Sequence, residues 1–251
     1  MFTEQDTLCA AQADDAMSGI TANCVTPPPF TSPLKSRATR KFSWKNRDRC
    51  SGSIVVSLNG VMITLHFESK LELMVIMLLL SRDDVIEIWD QPPHVTYRKA
   101  DGSIGKHTYD FRVVLDDGSV VALAVKPAEK AARATFQADI ARVAQATPKS
   151  FANDVVVMSE ADFTHAQVVN AARYFEFNKD TDTEADLAVR SVVADLSGAA
   201  SIDGIVRRTK LAGRAYRAVV RAIFANTLTP AADGIISPKT FVSPSHAGGR
   251  F

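Results

Sequence analysis

Alternating apolar and polar residues on either side of Asn59-Gly60 predict the first hairpin of the chain. The two runs cover residues 53–58 and 61–65. An Asn-Gly pair between such runs favours a two-residue type I′ turn, because both of its residues tolerate a positive φ. Residues 68 to about 82 follow with a nearly continuous apolar composition, which predicts a mostly buried helix.

The chain then predicts short strands, a second hairpin, a helix and a final strand. The predicted ranges are strands at 85–89, 94–99, 109–115, 120–126 and 153–158 and a helix at about 129–145. The second hairpin has the clearest signal, because strand-forming runs flank a turn in which Gly118 accommodates a positive φ. Hairpin, helix, strands, helix and strand in this order predict an α/β core with a mixed sheet.

Helical patterns dominate from residue 162 onward. The predicted helices are 162–177, 183–196, 201–209 and 213–228, and a short β-wing is predicted at 234–242. Residues 1–34 are rich in Ala, Thr, Ser and Pro without a sustained apolar period, which is typical of a flexible leader. We therefore predict a leader with a basic arm at 1–50, an α/β domain at 51–160 and a helical domain at 161–251.

Length and composition favour an ordinary soluble protein. The 251 residues are 46% hydrophobic and carry a formal net charge of +1, so the chain can bury a core without disulfides or a metal. The most apolar run, residues 71–80, is about half as long as a membrane span. The chain begins with Glu4 and Asp6 instead of the basic start of a signal peptide. We expect a cytoplasmic protein with no membrane partner.

Basic residues are concentrated in two segments although the total charge is near zero. Segment 35–49 contains seven Lys and Arg against Asp48 alone, and segment 205–230 contains six and no acidic residue. Such patches favour local contacts with phosphates, and Phe42 and Trp44 in the first one are candidates for stacking on bases. The alternatives are a solubilising leader for the first segment and an ordinary solvated helix face for the second.

Two residues of the second hairpin are expected to face one site. Side chains alternate between the faces of a strand. A three-residue turn centred near Asp117 would place Asp110 opposite Ala124 and diagonal to Lys126. A carboxylate and an amine would then meet at one end of the hairpin. The alternative is a strand-starting Asp and a strand-ending Lys that both point to solvent.

Four sequence blocks resemble a known family. They are Phe67-Glu68-Ser69-Lys70-Leu71-Glu72, Val85-Ile86-Glu87-Ile88-Trp89-Asp90-Gln91-Pro92, Tyr109-Asp110-Phe111 and Ala124-Val125-Lys126-Pro127. In this order, over residues 65–131, they resemble the N-terminal domain of TnsA-like transposon endonucleases. The resemblance implies a restriction-endonuclease-like fold of the PD-(D/E)xK class and a metal-dependent DNA endonuclease.

The resemblance also implies roles for individual residues. Glu72 corresponds to the helix carboxylate, Asp110 to the central metal ligand and Lys126 to the catalytic lysine. The backbone carbonyl of Val125 is implied as a further metal ligand. Glu68, one helical turn before Glu72, is the alternative helix carboxylate. The implied cofactor is Mg²⁺, with Mn²⁺ as the other option, held by carboxylates so that it activates water for attack on a phosphodiester.

Two positions depart from the family pattern. Tyr109 stands where the family has Pro, and we expect this change to affect only the local backbone. Ala124 stands where the wider class has Glu or Gln, and this change removes a metal-facing oxygen. The alternative function is therefore a catalytically degenerate nuclease fold that binds DNA, for example as a transcriptional regulator. An adaptor that binds protein through the helical domain is a third alternative.

The helical region adds a predicted DNA-binding surface. Helix, tight turn and helix over residues 200–228 are compatible with a winged helix-turn-helix whose second helix enters the major groove. The cations of this surface are Arg207, Arg208, Lys210, Arg214, Arg217 and Arg221. The expected partner is double-stranded DNA. A transposase and a regulatory ATPase are implied by the family resemblance alone.

Overall fold

Eleven strands and seven helices lie within residues 31–40 and 50–245, which are the residues that the computed structural model describes. The strands are β1 (Gly52–Leu58), β2 (Val61–Phe67), β3 (Val85–Asp90), β4 (Val95–Arg98), β5 (Ile104–His107), β6 (Phe111–Leu115), β7 (Val120–Val125), β8 (Asp154–Met158), β9 (Ala200–Ser201), β10 (Leu228–Pro230) and β11 (Phe241–Pro244). The helices are α1 (Lys70–Leu80), α2 (Ala128–Ala131), α3 (Ala134–Ala146), α4 (His165–Asn178), α5 (Thr183–Ala194), α6 (Ile202–Thr209) and α7 (Ala212–Phe224). The described residues from Pro33 onward belong to one compact unit.

A four-stranded mixed sheet in the order β3-β6-β7-β8 forms the centre of the α/β part, as the sequence predicts. β3, β6 and β7 are antiparallel neighbours, whereas β8 lies parallel to β7. A parallel pair needs a long crossover connection, and α2 and α3 lie in this connection. On one face of the sheet, Val75 and Ile76 of α1 join Phe111 and Val113 in a buried cluster. Residues of α3 cover the other face.

Both predicted hairpins form, and their turns have the expected backbone. β1 and β2 pair with Leu58 opposite Val61, and Asn59 and Gly60 between them have φ values of 50° and 76°. Two consecutive residues with positive φ define the type I′ turn. β6 and β7 pair on either side of a turn in which Gly118 has a φ of 81°. A third hairpin, β4 with β5, was not among the predictions.

The helices differ from the predictions mainly in their ends. The helix predicted at 129–145 is divided, because Arg133 has extended backbone angles (φ −68°, ψ 129°) between α2 and α3. No Gly or Pro marks this break in the sequence, so the pattern alone predicts one continuous helix. The longest described helix, α4, has 14 residues, and none of the described helices has both the length and the apolar composition needed to cross a bilayer.

The C-terminal part combines helices α4–α7 with a small antiparallel sheet in the order β10-β11-β9. Its core consists of apolar side chains of these elements, among them Val189, Ile205, Val219, Leu228 and Val242. The β-wing predicted at 234–242 is misplaced, because β10 and β11 lie on either side of a loop at 231–240. Strands of three or four residues are too short for a reliable alternating pattern.

Helix α4 links the two parts of the compact unit. It contacts α1 of the α/β part and α7 of the helical part. Phe163 and Phe175 pack against the cluster that lies between α1 and the central sheet. The division predicted near residue 160 falls in the chain just before α4, and it stays a prediction.

Candidate active site

Asp110 and Lys126 meet where β6 begins and β7 ends. The two strands pair with Phe111 opposite Leu123, and Nζ of Lys126 lies 3.7 Å from Oδ2 of Asp110. The backbone N–H of Val125 donates a hydrogen bond of 2.6 Å to the same carboxylate oxygen. The structure thus brings a carboxylate and an amine together at the end of the hairpin where the alternation of side chains predicts them.

Glu72 is held in place by the start of α1. Ser69 is the N-cap, and its hydroxyl oxygen accepts a hydrogen bond of 3.1 Å from the N–H of Glu72. In return, the carboxylate of Glu72 accepts from the N–H of Glu68 at 2.7 Å and from the Ser69 hydroxyl at 2.8 Å. This reciprocal pattern is close to a capping box. The residues that start the helix therefore also fix the orientation of the candidate carboxylate.

A cavity of about 660 Å³ brings the predicted site residues together. Glu72, Asp110, Val125 and Lys126 all line it, and so does the alternative carboxylate Glu68. The other lining residues are Arg40, Cys50, Ser69, Leu71, Pro127, Lys130, Arg133 and Phe136. The carboxylates come from the start of α1 and the start of β6, and the amine comes from the end of β7.

The carboxyl group of Glu72 has a perturbed acidity. Burial raises the pKa of Glu72 above its ordinary value, and the negative charges of Asp110 and Glu68 add to the increase. The hydrogen bonds from the Glu68 N–H and the Ser69 hydroxyl oppose it. Ionised Glu72 is therefore costly at this place. A cation bound nearby would relieve the cost, because an adjacent opposite charge favours the ionised form.

The oxygen donors of the cavity suit a hard cation such as Mg²⁺. This ion is usually held by one or two carboxylates, while water and substrate phosphates complete its shell. Glu72 and Asp110 offer such a pair, and each keeps lone pairs beyond those used in its hydrogen bonds. No group of three or more His, Cys, Asp or Glu within residues 31–40 and 50–245 is arranged to hold a metal. Two carboxylates would hold Mg²⁺ here only with water and a substrate phosphate as its other ligands.

Position 124 belongs to the core and not to the cavity lining. Ala124 is fully buried in an apolar cluster with Tyr109, Ile140 and Val143. Tyr109 is also fully buried, and its hydroxyl forms a hydrogen bond of 2.7 Å with the hydroxyl of Thr147. The expectation that Tyr109 affects only the local backbone is wrong, because its ring is part of the core. An oxygen donor at position 124 would have to enter the same apolar cluster.

Two cations that the sequence analysis did not single out also line the cavity. They are Lys130 of α2 and Arg133, which precedes α3. Arg133 forms an ion pair of 2.6 Å with Glu129. Lys130 has no side-chain hydrogen bond or ion pair with any residue that the structure describes. Their place at the cavity depends on the break at Arg133 between α2 and α3, which has no local signal in the sequence.

Arg221, predicted to bind DNA, is a core residue instead. Its guanidinium is buried and donates hydrogen bonds to Asp186 at 2.6 Å and to the carbonyl of Phe177 at 2.8 Å. Asp186 lies on α5, outside the segment 205–230 that contains no acidic residue. The positive charge of Arg221 is therefore compensated by a neighbouring helix, and Arg221 does not belong to the predicted DNA-binding surface.

The other predicted cations of the helical part differ in exposure. Arg214 pairs with Asp182 and Glu184, each at 2.6 Å. Its hydrogen bonds to Asp182, together with one from the N–H of Ala185, lower the pKa of the Asp182 carboxyl well below its ordinary range. Exposed cations remain at Arg207, Arg208, Lys210 and Arg217. Arg207 and Arg208 pair with acidic residues at 2.9 Å and 3.7 Å. Lys210 and Arg217 have no ion pair with the described residues.

The basic arm predicted at 35–49 lies only partly within the described residues. Residues 41–49, which include Phe42 and Trp44, are outside them. The described part is anchored, because Arg37 pairs with Glu87 at 2.6 Å and Arg40 pairs with Glu68. At least this part of the arm is therefore not a free solubilising leader.

Comparisons with known protein families and curated proteins found no match for this chain. The case for a function therefore rests on the residues that line the cavity and on the four sequence blocks that contain several of them.

Proposed function

We propose that this protein is a metal-dependent DNA endonuclease of the PD-(D/E)xK class, resembling the TnsA-like transposon endonucleases. One observation carries the proposal. Lys126 and Asp110, which lie far apart on the hairpin in sequence, are 3.7 Å apart in a cavity that Glu72 also lines. Two carboxylates that can hold a metal ion, with an amine beside them, suit metal-assisted hydrolysis of a phosphodiester.

Each residue has a role that follows from its surroundings. Asp110, Glu72 and the carbonyl of Val125 would hold the metal, which when bound supplies an activated water and neutralises charge on the scissile phosphate. The N–H of Val125 fixes one oxygen of Asp110, and the start of α1 fixes Glu72. Lys126 places a positive charge beside Asp110, where it orients the attacking water and stabilises the charge that develops on the phosphate.

Double-stranded DNA is the substrate that the distribution of cations favours. Arg40, Lys126, Lys130 and Arg133 line the same cavity as the carboxylates. In the helical part, the order α5-β9-α6-α7-β10-β11 and the small antiparallel sheet resemble a winged helix-turn-helix. Lys210, which has no ion pair with the described residues, lies at the end of α6, and Arg217 lies in α7. Cations at these two places suit contacts with the DNA backbone.

Partners other than DNA enter the proposal only through the family resemblance. If the resemblance to TnsA-like endonucleases extends to their assemblies, a transposase and a regulatory ATPase would act together with this chain.

Nicking of supercoiled plasmid tests the proposal. Wild-type protein should nick the plasmid with Mg²⁺ or Mn²⁺ and not with chelator, and Asp110→Ala should abolish the nicking. The matched control is Asp180→Ala, because Asp180 is exposed and does not line the cavity. Nicking that survives in Asp110→Ala at the wild-type rate would contradict this assignment of the active site.

The second candidate function is a nuclease fold that binds DNA without cutting it. The observation in its favour is the burial of Ala124 among apolar residues, which leaves the site one oxygen donor short of the class pattern. This function predicts duplex binding that does not depend on Mg²⁺. It also predicts that Lys126→Ala weakens binding only by the loss of one phosphate contact. Metal-dependent nicking by the wild type, lost in Asp110→Ala, would exclude this candidate.

A further inference from the structure

Residues 33–40 lie as a strap across β2 and β3. Leu34 exchanges backbone hydrogen bonds of 2.8 Å with Met62 and Thr64 of β2. Farther along the strap, the hydroxyl of Ser36 donates to the buried carboxylate of Asp90 at 2.7 Å. The N–H of Thr39 then bonds the carbonyl of Gln91 at 3.0 Å. These contacts fix the strap up to its last described residue, Arg40.

Two arginines of the strap differ in what lies beside them. Arg37 pairs with Glu87 at 2.6 Å, and its guanidinium lies 4.8 Å from the ring centroid of Trp89. Arg40 pairs with Glu68, and both of these residues line the candidate active-site cavity. The side chains of Arg37 and Arg40 are similarly exposed, at 51% and 55%. Only Arg40 is therefore placed where a substrate in the cavity would reach it.

We propose that Arg40 is a substrate-binding residue that exchanges the carboxylate of Glu68 for a backbone phosphate of DNA. The inference rests on the proposed nuclease function and extends it to a residue outside the PD-(D/E)xK motif. A guanidinium binds carboxylates and phosphates through the same planar pair of N–H groups, so the exchange keeps its geometry. An exposed ion pair contributes little net stability, so the exchange costs little.

The position of the strap determines from which side of the cavity Arg40 would hold a phosphate. Lys130 and Arg133 line the cavity close in sequence to Lys126. Arg40 instead belongs to the strap and pairs with Glu68, which precedes the N-cap of α1. A phosphate bound by Arg40 would thus be held from the side of the cavity that carries the carboxylates. Repulsion between the phosphate and Glu68, Glu72 and Asp110 would be reduced there, because Arg40 supplies the opposite charge.

Equilibrium binding of a short fluorescein-labelled DNA duplex in chelator, over a series of salt concentrations, tests the inference without any cleavage. Arg40→Ala should weaken binding about tenfold, as expected for one lost charged hydrogen-bond contact. It should also reduce the slope of log K against log salt by about 0.9, the value for one phosphate contact. Arg37→Ala is the matched control and should leave both quantities near the wild-type values.

A double-mutant cycle with Glu68→Gln separates exchange from simple charge removal. If Glu68 holds Arg40 away from phosphate, Glu68→Gln should tighten duplex binding in the wild type and have no such effect in Arg40→Ala. Three results would overturn the inference: equal tightening in both backgrounds, equal weakening by Arg37→Ala and Arg40→Ala, or no duplex binding by the wild type. Thermal unfolding of each variant verifies that it is folded.

The outcome is independent of the nicking assay. A protein that shows the expected binding pattern but never nicks plasmid would contradict the nuclease proposal and leave the role of Arg40 intact. A protein that nicks plasmid in a metal-dependent way, but whose duplex binding is unchanged by Arg40→Ala, would support the nuclease proposal and contradict the role of Arg40.

Discussion

Two lysines of the cavity and one arginine of the helical part are paired in different ways. At the cavity, Lys130 has no ion pair with the described residues, and Lys126 lies 3.7 Å from its single carboxylate partner. In α7, by contrast, Arg221 is buried and donates hydrogen bonds of 2.6 and 3.0 Å to Asp186 and of 2.8 Å to the carbonyl of Phe177. The lysines of the cavity therefore keep positive charge available for a ligand, whereas the charge of Arg221 is neutralised by Asp186 between α7 and α5. The number of basic residues in a sequence segment does not distinguish these two situations.

The largest expected effect concerns the ion pair between buried Arg221 and half-buried Asp186 in the helical part. Arg221→Ala should lower the free energy of unfolding by about 2 kcal/mol, because it leaves the carboxylate of Asp186 and the carbonyl of Phe177 without their donor. Chemical denaturation measures this loss. Replacing both charges, with Arg221→Met and Asp186→Leu together, should restore most of the stability. A loss as large in Lys130→Ala would remove the contrast between the two regions.

An intermediate effect is expected at the cavity. Lys130→Ala should leave the stability unchanged and weaken duplex binding about tenfold, because a free cation is lost from a phosphate-binding surface. The measurement is duplex binding in chelator at two salt concentrations, in which the salt dependence should also become weaker. Lys106→Ala is the control, since Lys106 is an exposed lysine of β5 that does not line the cavity. Equal weakening by both variants would show that the cavity has no special affinity for phosphate.

The smallest expected effect is on the pH dependence of stability. The raised pKa of Glu72 means that the folded state binds its proton more tightly than the unfolded chain. The contribution of Glu72 to the free energy of unfolding is fully present below the ordinary pKa of Glu, and it is lost as the pH rises through the raised pKa. Glu72→Gln removes that loss. Its Tm should therefore exceed the wild-type Tm slightly at neutral pH, and the difference should shrink on acidification.

Added Mg²⁺ gives the same variant a second readout. The ion should raise the Tm of the wild type, because a ligand that binds only the folded state stabilises it. The increase should be smaller in Glu72→Gln, which lacks one of the two carboxylates. A Tm difference that is constant with pH, together with equal responses to Mg²⁺, would argue against Glu72 as a metal-facing group.

Much of the α/β part can be predicted from the sequence because its signals are local. The Asn59-Gly60 turn determines a hairpin by itself, and alternation along β6 and β7 places Asp110 near Lys126. The break between α2 and α3 has no local signal, and neither have the short strands β5, β10 and β11. These features depend on neighbours that are distant in sequence. Packing against such neighbours overrides local propensity.

The parts of the candidate site that depend on packing between distant segments were likewise not predicted from the sequence. The motif residues were found from their order along the chain, whereas the pairing of Arg221 with Asp186 depends on how α5 and α7 pack. The burial of Ala124 likewise depends on α3, which contributes Ile140 and Val143 to the cluster around it. Lys130 and Arg133 gain their place at the cavity from a helix break that the sequence does not signal.

The start of α1 makes the assembly of the candidate site part of folding itself. Glu72 accepts hydrogen bonds from Glu68 and Ser69 only when the first turn of the helix has formed. Asp110 likewise accepts from Val125 only after β6 and β7 have paired. The two carboxylates come from elements that are distant in sequence, so only the packing of α1 on the sheet places them in one cavity. The site is therefore a property of the folded protein and not of either sequence segment alone.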